Sequence, residues 1–285
     1  MLTPTNVPPQ PIYTANNMRL AYELRWSLTV FWTQAPPGPA TWLQPLAETT
    51  EADGVRILEH RFIKDTVSQF LVSTKPHVTP AQCIRSAKGR LQYLVRAKLP
   101  KAFHRNYSII SVGSGNQKAI EGYVASQLQH HRMPDPRVDA MLAAYQFADE
   151  ALDLGRPRHS SHGEFIFNLH LVAVNEQRFA EVSDECCRRT LEVVKGVARK
   201  KHHLLSRIGL LVDHVHWTVG CGIDEAPLDV GLGYLNNLAF AHGMRPLFQF
   251  GFYAGTFGPY DMGAVRRYLA DQSSLHRGKP GGGEG

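Results

Sequence analysis

The chain has 285 residues, of which 43% are hydrophobic and 20% are charged. This length and apolar content allow one large domain or two moderate ones with a real core, and they exclude a disordered protein. Lysine and arginine (31) exceed aspartate and glutamate (25), which gives a net charge of +6. That excess suits a polyanionic partner but does not require one.

Cysteine usage and the chain start indicate the compartment. The four cysteines form no CxxC pair, which favours reduced thiols over zinc ligands; they are Cys83, Cys186, Cys187 and Cys221. The N-terminal residues lack the charged-then-apolar order of a signal peptide, and no apolar run approaches the length of about 18 residues that a membrane span needs. We therefore expect a cytoplasmic protein without membrane segments.

Hydrophobic periodicity predicts the same element order twice. The first half should contain strands over 24–31, 55–62, 67–74 and 106–112, and helices over 41–53 (with a threonine cap), 80–97 and 117–130. The second half should contain strands over 165–174, 204–210, 212–219 and 247–256, and helices over 182–200, 227–242 and 261–275. Each half is predicted to be β-α-β-β-α-β-α.

This order predicts an α+β protein made of two tandem split ferredoxin-like units, each with one extra helix. We expect domains over 21–132 and 164–277, joined by a connector over 133–163 that has one helix, 137–148. The proline-rich arm 1–20 and the glycine-rich tail 278–285 should be disordered.

Matched residues indicate an internal repeat. Equivalent residues of the two halves are separated by 147 or 145 positions, as in the pairs Pro80 and Pro227, Gly113 and Gly258, Tyr123 and Tyr268, and Gln127 and Gln272. A single two-residue length change reconciles the two offsets. The halves therefore resemble diverged copies.

The apolar run 211–220 contains two histidines, His214 and His216. In a strand both would project from one face, at a spacing that lets two nitrogens bind one divalent ion. Taken alone, such a pair is more often structural than metal-binding. Its counterparts in the first half are Val67 and Gln69, so at most one metal site of this kind is expected.

The last helix of each half carries a tyrosine followed four residues later by a glutamine: Tyr123 with Gln127, and Tyr268 with Gln272. Residues four apart share one helix face, which places a nucleophilic hydroxyl beside an oxygen ligand. A partly buried aromatic beside a solvated glutamine is the simpler interpretation for one helix. Its recurrence at a constant offset favours a functional pair.

Several segments together resemble the single-tyrosine HUH transposases, which include TnpA proteins of small insertion sequences and REP-associated relatives. In the second half these are VDHVHWTVG, a strand ending in TFG, and RRYLADQ; in the first half they are QFLVSTKPHVTPAQCIRSAKGRLQYL, FHRNYSIISVG and YVASQ. The likeness covers most of 24–132 and 164–275. The second half departs from it with Leu235, Asn236 and Asn237 where the first half has Lys88, Gly89 and Arg90.

The resemblance implies an intramolecular pseudo-dimer of two HUH-type domains. It implies that His214 and His216 bind Mg²⁺ or Mn²⁺ with either Gln127 or Gln272. Tyr123 or Tyr268 would then attack single-stranded DNA, with a hairpin as recognition element, to form a phosphotyrosine intermediate. The sequence leaves open which tyrosine acts, which DNA is bound and whether chains associate further.

Two other functions fit the sequence. The chain could be a domesticated DNA- or hairpin-binding protein of the same fold with reduced catalysis, or a purely structural ferredoxin-like protein. Phosphate contacts are expected from basic side chains, for which a solvated basic face is the alternative: Arg85, Lys88, Arg90, Arg96, Lys118, Arg266 and Arg267. The pairs His130–His131 and His202–His203 are expected at the surface.

Overall fold

The computed structural model describes residues 10–131, 133–177 and 183–267. These residues form a mixed α/β structure with two six-stranded sheets. Tyr268, Gln272 and the tail 278–285 lie outside the described ranges. Within those ranges, every helix is too short or too polar to cross a lipid bilayer.

The first half supplies β1 (Arg19–Glu23), β2 (Arg25–Trp32), α1 (Leu43–Glu51), β3 (Val55–Lys64), β4 (Val67–Thr74), α2 (Pro80–Val95), β5 (Phe103–Val112) and α3 (Gln117–His130). The middle of the chain supplies α4 (Pro136–Ala143), β6 (Phe147–Ala148), β7 (Arg158–His159) and β8 (Gly163–Ile166). The second half supplies β9 (Asn168–Asn175), α5 (Asp184–Lys201), β10 (Leu204–Leu210), β11 (His214–Gly220), α6 (Pro227–Ala241) and β12 (Phe248–Phe257). Residues 262–267 are helical.

The two sheets share one strand arrangement. The first has the order β3-β4-β2-β5-β8-β7, and the second has β1-β12-β9-β11-β10-β6. In each half, the first and third strands of the unit are therefore neighbours, and the second and fourth lie outside them. The connections through α1 and α2, and through α5 and α6, follow the predicted β-α-β-β-α-β order.

Local sequence signals account for the helix starts. Thr79 caps α2 by accepting a hydrogen bond from the backbone N–H of Gln82, whose side chain caps Thr79 in return. Ser183 caps α5, which has acidic residues in its first turn and three basic residues in its last. α1 differs from expectation, because its N-cap is Trp42 and the Thr41 hydroxyl donates instead to the carbonyl of Gly38 at 2.8 Å.

The N-terminal arm contradicts the prediction of disorder over 1–20 within its described part. Tyr13 is 1% exposed. Its hydroxyl donates to the carbonyl of Phe248 at 2.7 Å and accepts from the N–H of the same residue at 2.8 Å. β1 then adds a parallel edge strand beside β12. The sequence has no periodic pattern here, because the apolar residues Ile12, Tyr13 and Met18 are scattered among prolines and polar residues.

The connector 133–163 has more structure than expected. Its helix α4 ends at Ala143 rather than continuing to 148, because the next residues form β6, which pairs antiparallel with β10. β8, which begins at Gly163, pairs in parallel with β5 of the first half. The middle segment thus extends both sheets and ties the halves together.

Reciprocal hydrogen bonds join the two halves where β5 and β12 end. The Ser111 hydroxyl donates to the carbonyl of Phe257 at 2.6 Å, and the Thr256 hydroxyl donates to the carbonyl of Val112 at 2.7 Å. Each residue of the first bond lies 145 positions from its equivalent in the second (256 − 111 and 257 − 112). The two hydrogen bonds are therefore equivalent, with the roles of the two halves exchanged.

A second reciprocal contact lies at the starts of α2 and α6. The N–H of Ala81 donates to the carbonyl of Ile223 at 3.1 Å, and the N–H of Leu228 donates to the carbonyl of Pro76 at 3.0 Å. Here the equivalent residues are 147 positions apart (228 − 81 and 223 − 76). Both offsets found in the sequence thus recur in contacts between the halves.

Replacing Gly113 or Gly258 with alanine should destabilise the contact between the two halves where β5 and β12 end. A Cβ at Gly113 would lie 2.2 Å from the carbonyl oxygen of Thr256, and one at Gly258 would lie 2.0 Å from that of Ser111. We expect each substitution to lower the free energy of unfolding by about 3 kcal/mol. Denaturant titration measures it, with Gly89→Ala as the control: its Cβ meets nothing within 4 Å, and it should be neutral or mildly stabilising.

Candidate functional site

The helix α3 belongs to the first half but packs on β10 and β11 of the second. Gly209 in β10 permits this approach, because a Cβ there would lie only 2.9 Å from the carbonyl oxygen of Val124 in α3. The helices α5 and α6 of the second half follow β9 and β11 in the chain, and Tyr234 of α6 packs on Trp217, which alternates with the histidines along β11. α3 therefore covers the histidine-bearing face of the second sheet.

This packing places the Tyr123 ring beside His216 and the His131 ring beside His214. Gln127 lies midway between Tyr123 and His131 in the chain, one helical turn from Tyr123, so it shares this side of α3. The ring centroids of Tyr123 and His216 are 5.7 Å apart, and those of His214 and His216 are 4.8 Å apart. Gln127 is 1% exposed, and its side-chain N–H donates to the carbonyl of Tyr123 at 3.1 Å. That bond uses the amide nitrogen, so the amide oxygen Oε1 can still accept a hydrogen bond or bind an ion.

Two buried polar atoms of this cluster have no hydrogen-bond partner among the described residues: Oε1 of Gln127 and Nε2 of His216. Such atoms normally cost about 1–3 kcal/mol each when left unpaired, so a bound ligand at this point would stabilise both. Nδ1 of His214 lies 2.6 Å from Oδ1 of Asp213, which leaves Nε2 of that ring for another contact. Two imidazole nitrogens and one amide oxygen form a donor set that fits a divalent cation.

Tyr123 remains accessible in this arrangement. It is 49% exposed, although its ring packs edge-on against His170 and His216. Its hydroxyl makes no hydrogen bond to the described residues. Its hydroxyl oxygen is therefore open for a new contact next to the histidines.

Burial keeps His170 and His216 neutral at pH 7. It lowers the pKa of His170 to about 4. Burial also lowers the pKa of His216 far below its usual range, and the neighbouring His170, His214 and His131 add to the effect. Neutral imidazoles have a lone pair to offer, which is the form that binds metal ions.

Acid should therefore destabilise the fold. The buried His60 also has a pKa lowered to about 4. Because these pKa values lie below that of an unfolded histidine, the unfolded chain binds more protons between about pH 6.5 and 4. We expect the free energy of unfolding to fall, as the pH falls through that window, by about 1.4 kcal/mol per pH unit for each such histidine.

Denaturant titration of metal-free protein at pH 7, 6 and 5 measures this dependence. A His159→Gln variant serves as the control, because the His159 side chain is 73% exposed and should leave the slope unchanged. A free energy of unfolding that stays constant from pH 7 to 5 would show that burial does not lower the pKa of these histidines.

The equivalent positions in the first half lack imidazoles. The amide nitrogen of Gln69 donates to the hydroxyl of Ser27 at 2.5 Å, and Val67 has no ligand atom. The helical segment 262–267 lies on this side, where Arg266 pairs with Glu59 of β3 at 2.6 Å. The predicted Tyr268 and Gln272 follow this segment and fall outside the described residues.

The predicted phosphate-binding residues fall into two groups. Arg85, Lys118 and Arg267 are exposed and pair with no acidic side chain among the described residues. The others have partners within the chain: Lys88 donates to the carbonyls of residues 104–106, Arg90 pairs with Asp53 at 2.9 Å, Arg96 stacks on Tyr93, and Arg266 pairs with Glu59. Lys88 has the most partners of these residues, since its ammonium group donates to three backbone oxygens at 2.8–3.2 Å.

Three aromatic side chains of the site carried no ligand signal in the sequence. His170 lies within hydrogen-bond distance of His216, at 2.9 Å. His131, expected at the surface, is exposed but places its ring 5.5 Å from that of His214. Tyr253 packs against His170 at 5.8 Å. The topology could have revealed His170, because the first strand of a β-α-β-β-α-β unit lies beside the third.

A separate group of potential ligands lies where α5, β11 and α6 approach each other. Atoms of His203, Cys221 and Glu225 lie within 4.8 Å of one another. His203 is buried, contrary to expectation, and both of its ring nitrogens have partners: Tyr234 at 3.0 Å and Glu225 at 2.9 Å. Since these bonds satisfy His203 without an ion, we assign the group a structural role.

The chain matches no protein-family model and no curated protein sequence. Among solved structures it is similar to a candidate transposase from Deinococcus radiodurans R1, with TM-score 0.29 and 17% identity over 37% of this chain and 89% of that one. It is also similar to a REP-associated tyrosine transposase bound to a REP hairpin, with TM-score 0.30 and 10% identity over 39% of this chain and 68% of that one.

A third structure, a mutant chlorite dismutase from Candidatus Nitrospira defluvii, matches with TM-score 0.22 and 10% identity over 87% of this chain and 95% of that one. All three TM-scores are below 0.5. Likenesses this distant assign neither a fold nor an activity, so the function has to be inferred from the site itself.

Proposed function

We propose that this protein is a metal-dependent single-strand DNA endonuclease and strand transferase of the HUH transposase type, with Tyr123 as its nucleophile. The observation that carries the proposal is the position of α3. This helix brings the half-exposed Tyr123 and the buried Gln127 onto the strand that holds His214 and His216. The first half would thus supply the nucleophile and the amide ligand, and the second half the two histidines.

The side chains of the site would have different roles in the reaction. His214, His216 and Gln127 would hold the ion, because each has a ligand atom that no other described residue uses. A bound Mg²⁺ or Mn²⁺ supplies positive charge that polarises the scissile phosphate. Burial of Gln127 and His216 excludes water from one side of the centre, while the exposed Tyr123 faces the substrate.

Cleavage forms one bond and breaks one. The hydroxyl oxygen of Tyr123 loses its proton and bonds to phosphorus. The bond from phosphorus to the leaving strand oxygen breaks, and that oxygen takes up a proton. The phosphodiester count is unchanged, so the hydroxyl of a second strand end can displace Tyr123 and join the strands without ATP.

The architecture supports an intramolecular pseudo-dimer of two ferredoxin-like units over 21–132 and 164–277. Both units have the same strand order. The reciprocal contacts at offsets of 145 and 147 are those expected when two copies of one unit pack around an approximate two-fold axis. Because the first-half positions hold Val67 and Gln69, this enzyme has one HUH site rather than two.

DNA would reach the site along exposed basic side chains that pair with no acidic group among the described residues. Arg85, Lys118 and Arg267 meet this condition and are the best candidates for phosphate contacts. Lys88, Arg90 and Arg266 must first release their partners within the chain. A hairpin is the expected recognition element.

Incubation with labelled single-stranded and hairpin oligonucleotides and Mn²⁺ tests the proposal. We expect a protein–DNA adduct that survives denaturation and disappears with EDTA. Binding without any adduct, over a broad oligonucleotide set, would instead favour the domesticated DNA-binding protein. Absence of both binding and adduct would favour a structural protein.

A further inference from the structure

His170 lies on β9 immediately beside the histidine pair. In the register of β9 and β11, Val172 is opposite His216, so His170 projects from the same sheet face two residues away. Nε2 of His170 is 2.9 Å from Nδ1 of His216, and their rings are nearly parallel, at 14°. The side chain is enclosed, with 7% of the residue exposed.

The bond between the two rings can have only one donor. If His216 donates from Nδ1, its Nε2 carries a lone pair and can bind an ion. If His170 donates instead, Nε2 of His216 carries a hydrogen and becomes a buried donor with no acceptor among the described residues. The first arrangement is the one that satisfies His216 once an ion is bound.

His214 is held in the same way by a different group. Asp213, when ionised, can only accept, so Nδ1 of His214 donates to it across 2.6 Å. The Nε2 atom of His214 is then left with its lone pair. Both histidines of the pair therefore have their Nδ1 atoms occupied by a neighbour, which is how metal-binding imidazoles are oriented in proteins.

We propose that His170 is a positioning residue, which accepts the hydrogen bond from Nδ1 of His216 and thereby holds Nε2 of His216 in the ligand form. This inference rests on the proposed function, since it assigns a role toward the ion. It also makes a claim about the metal-free protein, namely that His216 is the Nδ1–H tautomer. That claim can be tested separately.

Nitrogen-15 NMR of the histidine side chains in metal-free protein reads the tautomer of His216 directly. We expect Nδ1–H in the wild type. His170→Leu removes the acceptor, and the tautomer should shift toward Nε2–H. His170→Gln places an amide oxygen near the former Nε2 and should restore Nδ1–H. An Nε2–H tautomer in the wild type, or no change in His170→Leu, would overturn the inference.

Mn²⁺ affinity, measured from the electron paramagnetic resonance signal of the free ion, gives the second readout. His170→Leu should weaken binding by at least about tenfold. His170→Gln and the exposed His159→Gln should each bind within about threefold of the wild type, and circular dichroism confirms that each variant is folded. Equal affinity in His170→Leu and wild type would overturn the inference and leave the proposed function standing. A wild type that binds no Mn²⁺ and forms no DNA adduct would overturn the proposed function, while the tautomer measurement still decides the role of His170.

Discussion

Replacing Tyr123 with phenylalanine should abolish the covalent adduct between the protein and single-stranded DNA. The substitution removes only the hydroxyl oxygen, which makes no hydrogen bond to the described residues, and it keeps the ring packed on His170 and His216. Loss of a nucleophile with intact surroundings costs at least about 1000-fold in rate. Adduct formation on a denaturing gel measures it.

Two tyrosines serve as controls for this result. Tyr260 is 58% exposed, and Tyr260→Phe should form adduct at the wild-type rate. Tyr268→Phe should also retain most of the activity, since the chain has a single His-x-His pair, His214 and His216, and α3 lies against it. Equal partial losses in Tyr123→Phe and Tyr268→Phe would contradict the assignment of Tyr123.

Removing a ligand should weaken Mn²⁺ binding and stop DNA cleavage together. Gln127→Ala deletes the unpaired Oε1, and His216→Ala deletes the unpaired Nε2. Each should lower Mn²⁺ affinity by at least about tenfold, measured by isothermal titration calorimetry. Gln127→Glu keeps an oxygen ligand and adds a negative charge, so it should bind Mn²⁺ at least as tightly as the wild type.

The first half provides a matched control for the ligands. Gln69 is the repeat equivalent of His216 and also has a buried side-chain oxygen without a partner among the described residues. Because no imidazole accompanies it, Gln69→Ala should leave both Mn²⁺ affinity and adduct formation unchanged. If Gln69→Ala weakened Mn²⁺ binding as much as Gln127→Ala, the ion would bind in the first half.

Much of the secondary structure follows from local patterns. β4 and α3 coincide with the predicted ranges, and α2 begins at Pro80, where a proline and a capping threonine mark the start. The pairing of His214 with His216 on one face follows from strand alternation alone. These features depend on residues that are close in the chain, which is why the sequence is sufficient to predict them.

The remaining features depend on contacts between distant segments. Tyr13 is buried because the backbone of Phe248 satisfies its hydroxyl, and no residue near Tyr13 in the chain indicates this. The choice between Tyr123 and Tyr268 was open for the same reason, since it depends on how α3 crosses to the other sheet. Lys88 is a residue type that often contacts phosphate, yet its ammonium group donates to three backbone carbonyls of its own chain.

The most direct test of the central claim is the identity of the residue that becomes linked to DNA. Wild-type protein is incubated with a cleavable single-stranded oligonucleotide and Mn²⁺, digested with protease and nuclease, and examined by peptide mass spectrometry. We predict one nucleotide-modified peptide, carrying its modification on Tyr123. Modification of Tyr268 or of any other residue, or DNA cleavage without a linked peptide, would contradict the account.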